Sequence, residues 1–504
     1  MQTSEQQAPT VIVIGAGLGG LAVAHHLREA GISDITLLEK ADEVGGVWRD
    51  NVYPGAACDV PSVLYSWSFA RKADWSHRYA RQAEILDYIR DHTARSGLRD
   101  LVRTGAEVAR ADWADSEARW TVTLTTGETL SCDVLVSAVG QLSRPAIPRI
   151  PGLDTFDGPV FHSATWDHAA DLRGKRVGVV GTGASAIQFV PAIADEVGEL
   201  TVFQRSAPYV VPKPDGAYTA RQQRRFDRHP RLHHLTRRTV FHLSEQLNRT
   251  LDSDGRLADV LRAAWRLNLR RQVRDRALRA RLVPDYPLGC KRLLFSNDWY
   301  PTLARPHVDV VTDAITAVEP TGVRTADGTL HELDVVILGT GFAATEFLAP
   351  MDLRGAGGRR LADVWDGGAR AHLGITVPGF PSFFILYGPN TNLGGSSIIG
   401  MLEAQAGYVV AAVQESRRRG APLVVREDRA SSYDVEMQDR LAGSVWSSCA
   451  SWYREPGGRI TTNWPGTVAE YQERTARFDA DDFEPAGSVS GPASGDVSGT
   501  GAEA

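Results

Sequence analysis

Residues 11–20 read VIVIGAGLGG and residues 35–40 read ITLLEK. The first four are an unbroken apolar run, which predicts a strand buried on both faces of a parallel sheet. The glycines that follow are spaced Gly15-x-Gly17-x-x-Gly20. Gly15 permits a tight turn, Gly17 lets backbone approach a pyrophosphate, and Gly20 lets the next helix pack on the strand. The helix then turns the partial positive charge of its N-terminus toward the phosphates. Glu39 lies 19 residues past Gly20, at the end of the second strand. A carboxylate there accepts a hydrogen bond from a ribose 2′-hydroxyl. Strand, glycine turn, helix, strand and acid predict a βαβ dinucleotide-binding unit.

The same order recurs further along. RVGVV at 176–180 precedes GTGASA at 181–186, and LTVFQR at 200–205 follows. This second turn is Gly181-x-Gly183-x-x-Ala186, with Ala in the third place, a tolerated variant. Its strand ends on Gln204-Arg205 instead of an acid. An acid would repel a ribose 2′-phosphate, whereas an arginine pairs with one. Each unit has a later matching segment, DVLVSAVG at 133–140 and DVVILGTG at 334–341. Two nucleotides held near one another follow, FAD resident on the first unit and NADPH exchanging on the second, with hydride passing to the flavin. If Arg205 is only a surface arginine, the preference for NADPH lapses.

The expected fold is α/β, with two dinucleotide-binding (Rossmann-like) domains and a helical insertion in the NADP domain. The expected division is 1–150 for the first part of the FAD domain, 151–335 for the NADP domain, 336–480 for the second part of the FAD domain, and 481–504 for a disordered tail. Residues 1–9 are expected to be loose. The insertion covers about 215–285, where Leu257, Val260, Leu261, Ala264, Trp265 and Leu269 recur at helical spacing. It is rich in arginine, yet acids interleave, so a solvated helical face is expected there.

Length and composition set outer limits. The chain has 504 residues, too many for one hydrophobic core. The balance of 55 basic and 61 acidic residues gives −6, against a cationic nucleic-acid binder. No run of about 18 apolar residues occurs, so no membrane span is expected. The N-terminus carries no secretory pattern, and a cytoplasmic location is expected. The four cysteines, Cys58, Cys132, Cys290 and Cys449, form no C-x-x-C pair. They are expected as reduced thiols, without a metal ribbon or a redox dithiol beside the flavin. With no such dithiol to receive electrons, O2 is the expected acceptor.

Two further stretches narrow the chemistry. Residues 45–59 read GGVWRDNVYPGAACD and residues 156–167 read FDGPVFHSATWD. The first matches G-G-x-W-x-x-x-x-Y-P-G-x-x-x-D through Gly45, Gly46, Trp48, Tyr53, Pro54, Gly55 and Asp59. The second matches F-x-G-x-x-x-H-x-x-x-W-[PD] through Phe156, Gly158, His162, Trp166 and Asp167. On these patterns the sequence resembles the type I Baeyer–Villiger monooxygenases, class B flavoprotein monooxygenases, over roughly residues 10–470. Gly289-Cys290-Lys291-Arg292 looks like the family's Lys-Arg pair. The resemblance implies Arg292 over the flavin and Lys291 on NADP. GTGF at 339–342, GPNTN at 388–392 and Ser451-Trp452 look like its late flavin-contacting and mobile segments. Past Trp452 the chain departs from the cyclic-ketone enzymes.

The resemblance also implies which residues contact cofactor. These are Gly15, Gly17, Gly20, Glu39, Lys40, Gly46, Val47, Trp48, Ala57, Cys58, Asp59, Tyr65 and Val108 on the flavin side. On the NADP side they are Gly181, Thr182, Gly183, Ala184, Ser185, Arg205, Ser206 and Lys291, with Arg292 over the flavin and Gly341, Asn390 and Trp452 from the late segments. Arg292 and Asp59 are the catalytic candidates. A permanently charged guanidinium stabilises a flavin peroxide anion and the oxyanion of the adduct it forms with a ketone. Asp59 holds that guanidinium in place. Read more plainly, Asp59 is a turn acid and Arg292 a phosphate ligand. His162 is expected to link the two units, and Trp48 and Trp166 to pack. The expected reaction converts a small-molecule ketone and O2 to an ester or lactone. The alternatives are N- or S-oxygenation and a non-catalytic redox flavoprotein.

Overall fold

In the computed structural model, residues 8–251, 256–449, 451–455 and 457–487 are described. The VIVI run is strand β1 (Val11–Ile14), followed by helix α1 (Leu18–Glu29) and strand β2 (Ile35–Leu38). β1 lies at the centre of a five-stranded parallel sheet ordered Phe383–Ile385, Val134–Ser137, β1, β2, Val102–Arg103. Alternation sends Val11 and Val13 into one core and Ile12 and Ile14 into another, so both faces of β1 are covered. α1 packs on the long helix Ile398–Arg419 across the first face.

A second parallel sheet is ordered Val308–Val311, Glu199–Phe203, Arg176–Val180, Val335–Leu338, Val160–His162. The chain thus leaves the first sheet after Ser137, builds the second, and returns through Phe383–Ile385. The outgoing and returning connections run side by side. Ala146 N–H donates to Gly341 O at 2.9 Å and Ala343 N–H to Arg144 O at 3.0 Å. The expected α/β architecture with two dinucleotide-binding sheets is borne out.

The insertion is helical, with helices at Ala220–Arg228, Pro230–Leu251, Arg256–Gln272 and Arg276–Arg281. Thr219 and Gln222 form a capping box on the first, and Asp275 caps the last by accepting from Leu278 N–H at 2.7 Å. Trp265 and Leu269 are buried and fasten the insertion to the second sheet's core. Val260, expected on that stripe, is 60% exposed instead. The buried face is narrower than the sequence periodicity allows, because a roofing helix meets the core along one seam only. The Leu257 side chain lies outside the described residues.

Two other expectations are corrected. Cys290 and Cys449, expected as thiols, form a disulfide with Cα atoms 6.2 Å apart. Their 159-residue separation hid the pairing, which only folding creates. Cys58 and Cys132 are free and buried. The tail is ordered further than expected. Phe483–Pro485 pairs antiparallel with Leu423–Val425, and the Phe483 ring is buried against Phe478. One aromatic ring repays the ordering that average composition disfavours. Residues 1–7 and 488–504 lie outside the described residues.

A histidine cluster flanks α1. His25 stacks on Phe69 at 3.8 Å, and His26 and His92 lie against the same ring. Burial pushes His92 down to about 4 and lowers His25 and His26 as well. The unfolded chain therefore binds protons that the folded one refuses. Stability is complete above the ordinary histidine range and falls as pH drops from about 6.5 toward 4. Melting temperature across that window is expected to fall less steeply in His92→Leu than in the wild type.

Candidate active site

Gly15 has φ +101°, and a Cβ on Gly20 would collide with the Gly15 carbonyl oxygen. Gly20→Ala is therefore expected to yield protein that neither folds into a stable α1 contact nor takes up nucleotide, read by soluble yield and absorbance. Gly17 caps α1 with no side-chain acceptor, which leaves first-turn N–H groups for a ligand. A Cβ on Gly46 would stand 3.2 Å from Gly17 Cα, so the two backbones face each other closely.

Glu39 is buried. Its Oε2 accepts from Ala16 N–H at 2.9 Å, and its Oε1 accepts from Ala41 N–H and Arg49 Nη1, both at 3.0 Å. Three donors fill three of roughly four lone-pair positions, and one remains on Oε2. Lys40 and Val108 line a cavity with Ile14, Gly140 and Gln141, at the C-terminal ends of β1 and β2. Trp48 Nε1 donates to the Tyr65 hydroxyl at 3.1 Å, and Val47 opens the short helix Val47–Asp50 beside them.

The loop carrying Asp59 is held from the second unit. Gly55, at φ +80°, lies so close to the helix Ala186–Ile193 that a Cβ would stand 2.8 Å from Gln188 O. Gln188 receives Ala57 N–H at 3.0 Å and donates to Ala57 O at 3.1 Å. Lys213 Nζ donates to Cys58 O at 2.8 Å and sits 4.8 Å over the Tyr79 ring. Cys58 N–H donates to Ala80 O at 2.9 Å. The backbone N–H groups of Ala57 and Cys58 are thus spent within the protein, and each carbonyl already accepts one hydrogen bond.

Arg292 meets Asp59 across 233 residues of sequence, with Nη2 at 2.7 Å and Nε at 3.0 Å from Asp59 Oδ2. Both bonds fall on one oxygen, so this is a side-on hold and not a fork on two oxygens. Nη1 has no hydrogen-bond partner among the described residues. The side chains are 32% and 25% exposed, so the pair is partly open to solvent. Burial acts to raise the Asp59 carboxyl, but Arg292 and Lys213 together hold it below the usual range. Asp59 in turn raises Arg292 further. Tyr453 and Tyr387 also couple to this guanidinium. Burial pushes the Tyr453 hydroxyl up to about 12, against the charge and backbone of Arg292.

Lys291 turns the other way. Its Nζ donates to Ser206 Oγ at 3.1 Å and lies 4.4 Å over the Tyr286 ring. Thr182 Oγ1 donates to Ser206 O at 3.1 Å, which draws the second glycine turn into the cluster. Arg205 is exposed just past Glu199–Phe203. Burial lowers Lys291, and the Arg205 charge lowers it further. Gly181, at φ +109°, makes the turn, and Ser185 leaves the following helix without a side-chain cap. Gly183 and Ala184 are exposed there. The adjacent side chains of Lys291 and Arg292 therefore turn to Ser206 and to the Asp59 loop respectively.

The remaining candidates are peripheral to this pair. Asn390, at φ +56°, uses its amide to donate to Ile460 O at 2.9 Å and Asn463 O at 3.1 Å. Gly341 sits on the paired connections between the sheets, where the His162 ring faces Phe342 at 5.9 Å. Trp166 is buried against Phe161 and Phe189. Trp452 is 44% exposed, whereas its neighbour Tyr453 is 1% exposed. Sequence reasoning missed Gln188, Lys213, Tyr387 and Tyr453. Gln188, on the helix of the second glycine turn, Tyr387, directly before GPNTN, and Tyr453, next to Trp452, stood beside a motif, and Lys213 did not. Among the described residues no cluster of three metal-ligating side chains occurs, and no helix is long and apolar enough to cross a membrane.

Two parallel sheets, each with a glycine turn at the start of a helix, define a two-nucleotide oxidoreductase fold. The family model for pyridine nucleotide-disulphide oxidoreductase matches residues 12–238. A Baeyer–Villiger monooxygenase of Streptomyces coelicolor is 43% identical, over 94% of this chain and 92% of that protein. The chain belongs to the Baeyer–Villiger monooxygenase family. Solved structures similar to it include an oxidised steroid monooxygenase bound to NADP, with TM-score 0.84 and 32% identity over 93% of this chain and 97% of that one. Another is OTEMO in complex with FAD and NADP, with TM-score 0.85 and 28% identity over 95% and 99%.

Proposed function

We propose that this chain is an FAD- and NADPH-dependent monooxygenase that converts a ketone to an ester or lactone, acting in the cytoplasm. One oxygen of O2 enters the product and the other leaves as water, with NADPH supplying two electrons. The observation that carries the reading is Arg292, held side-on by Asp59 between two nucleotide cradles with Nη1 left over. On this reading 1–150 and 336–480 hold FAD and 151–335 holds NADPH.

The residues present fit both groups. The uncapped α1 N-terminus and the close Gly17–Gly46 backbones suit a pyrophosphate, and the free lone pair of Glu39 suits a ribose hydroxyl. Arg205 and Lys291 suit a 2′-phosphate. When bound, the flavin carries electrons from NADPH to O2 and supplies the oxygenating chemistry. Arg292 stabilises negative charge that develops on oxygen as the ketone is attacked, without itself giving up a proton. Asp59 fixes the plane of the guanidinium, and Gln188 and Lys213 fix the loop that carries Asp59.

The test is the purified flavin-loaded protein with NADPH, labelled O2 and a panel of ketones, thioethers and amines, with products read by mass. Esters carrying one labelled oxygen are expected. Oxygen placed only on sulfur or nitrogen would replace this reading with the heteroatom alternative. NADPH oxidation with no oxygenated product would leave a redox flavoprotein.

A further inference from the structure

The Cys290–Cys449 bond joins the loop of Arg292 to the segment of Tyr453. Cys290 is fully buried two residues before Arg292, and Cys449 is half-buried four residues before Tyr453. Tyr453, Cys290, Leu441, Val445, Trp446 and Ile460 pack as one cluster. The hydrogen bonds of Ser447, Ser451, Arg454 and Glu455 stay inside their own stretch of chain. Arg454 donates to Gly458 O and Ser447 O, Tyr453 N–H to Ser451 Oγ, and Glu455 N–H to Arg459 O. They fold the segment on itself, while the Tyr453 hydroxyl, set against the Arg292 backbone, and the apolar cluster reach the Arg292 loop without a covalent link. The disulfide makes that tie covalently.

Resting on the monooxygenase reading, we propose that Cys449 is a positioning residue, which through its disulfide with Cys290 holds Tyr453 against Arg292 and is released by thiol reduction. A dithiol attacks the more accessible Cys449 sulfur, and Cys290 leaves and takes up a proton as a buried thiol. The second dithiol sulfur then displaces Cys449. Two electrons and two protons pass to the protein, which holds two thiols, and the reagent becomes a cyclic disulfide. Hydrogen peroxide reverses the change, taking two electrons and two protons and leaving two waters. NADPH oxidation that fails to reach a ketone yields that same peroxide from O2, so a loosened site generates the oxidant that refastens it. The dithiols of a reducing cytoplasm oppose it.

The experiment uses the flavin-loaded enzyme, oxidised or reduced with dithiothreitol, then returned with peroxide and catalase. Peptide mapping without reductant is expected to find the 290–449 cross-link, and denatured thiol titration to count two thiols before reduction and four after. Amide exchange at 451–455 is expected to rise on reduction. Ester formed per NADPH is expected to fall several-fold, with hydrogen peroxide rising to match, and to recover after peroxide. Cys449→Ser and Cys290→Ser should resemble the reduced wild type and ignore dithiothreitol. The proposal is overturned by absence of the cross-link from oxidised protein, or by unchanged exchange and coupling at four thiols. A dithiothreitol response equal in Cys449→Ser overturns it too. If no ester forms in either state, the monooxygenase reading fails, and the amide exchange alone decides whether the bond holds Tyr453.

Discussion

Arg292→Ala is expected to keep NADPH oxidation and lose ester formation, with consumed oxygen recovered as hydrogen peroxide. Loss of a preorganised charge donor at a developing oxyanion costs about 2.7–4 kcal/mol, roughly 100–1000-fold in kcat. The substitution also leaves Asp59 with Lys213 as its remaining cation, and burial then draws its pKa back toward or above the ordinary carboxylate value. A variant that failed merely because Asp59 lost its partner would recover when Asp59 is removed as well. Asp59→Ala with Arg292→Ala should therefore stay as inactive as Arg292→Ala alone. Arg292→Lys keeps a charge but cannot make the paired Nε and Nη2 contacts, so partial activity is expected at most. Product mass and NADPH consumption, measured together, decide the matter. Ester yield equal to wild type in Arg292→Ala would remove this residue from the reaction.

The second large effect is expected at Arg205. Arg205→Ala should raise the KM for NADPH roughly 10–100-fold, the value of one or two charge-assisted bonds, and leave the KM for NADH unchanged. Because Arg205 is exposed, its contribution is screened by salt. The wild-type KM for NADPH should therefore climb with ionic strength more steeply than that of the variant. Lys291 is bonded to Ser206, the neighbour of Arg205, so Lys291→Ala should add to the loss less than independently. Equal effects on both nicotinamide cofactors would undo the 2′-phosphate assignment.

Local patterns determined a large part of this protein. VIVIGAGLGG and RVGVVGTGASA each state strand, turn and helix within a dozen residues, because buried strands need unbroken apolar runs and tight turns need glycine. That was enough for two parallel sheets and their helices. Asp59 and Arg292 came forward from the resemblance of residues 45–59 and 289–292 to a known family's patterns.

What spacing could not supply was partnership across the chain. The side-on contact of Arg292 with one Asp59 oxygen, the grip of Gln188 and Lys213 on the Asp59 loop, and the union of Cys290 with Cys449 all join residues more than a hundred positions apart. The same applies to exposure, which separated Tyr453 from its neighbour Trp452 and withdrew Val260 from the insertion's buried stripe. Backbone sterics and apolar periodicity act over a few residues, so the sequence alone determined which elements form. Direction, distance and access between side chains depend on how those elements pack, and only the tertiary structure decided them.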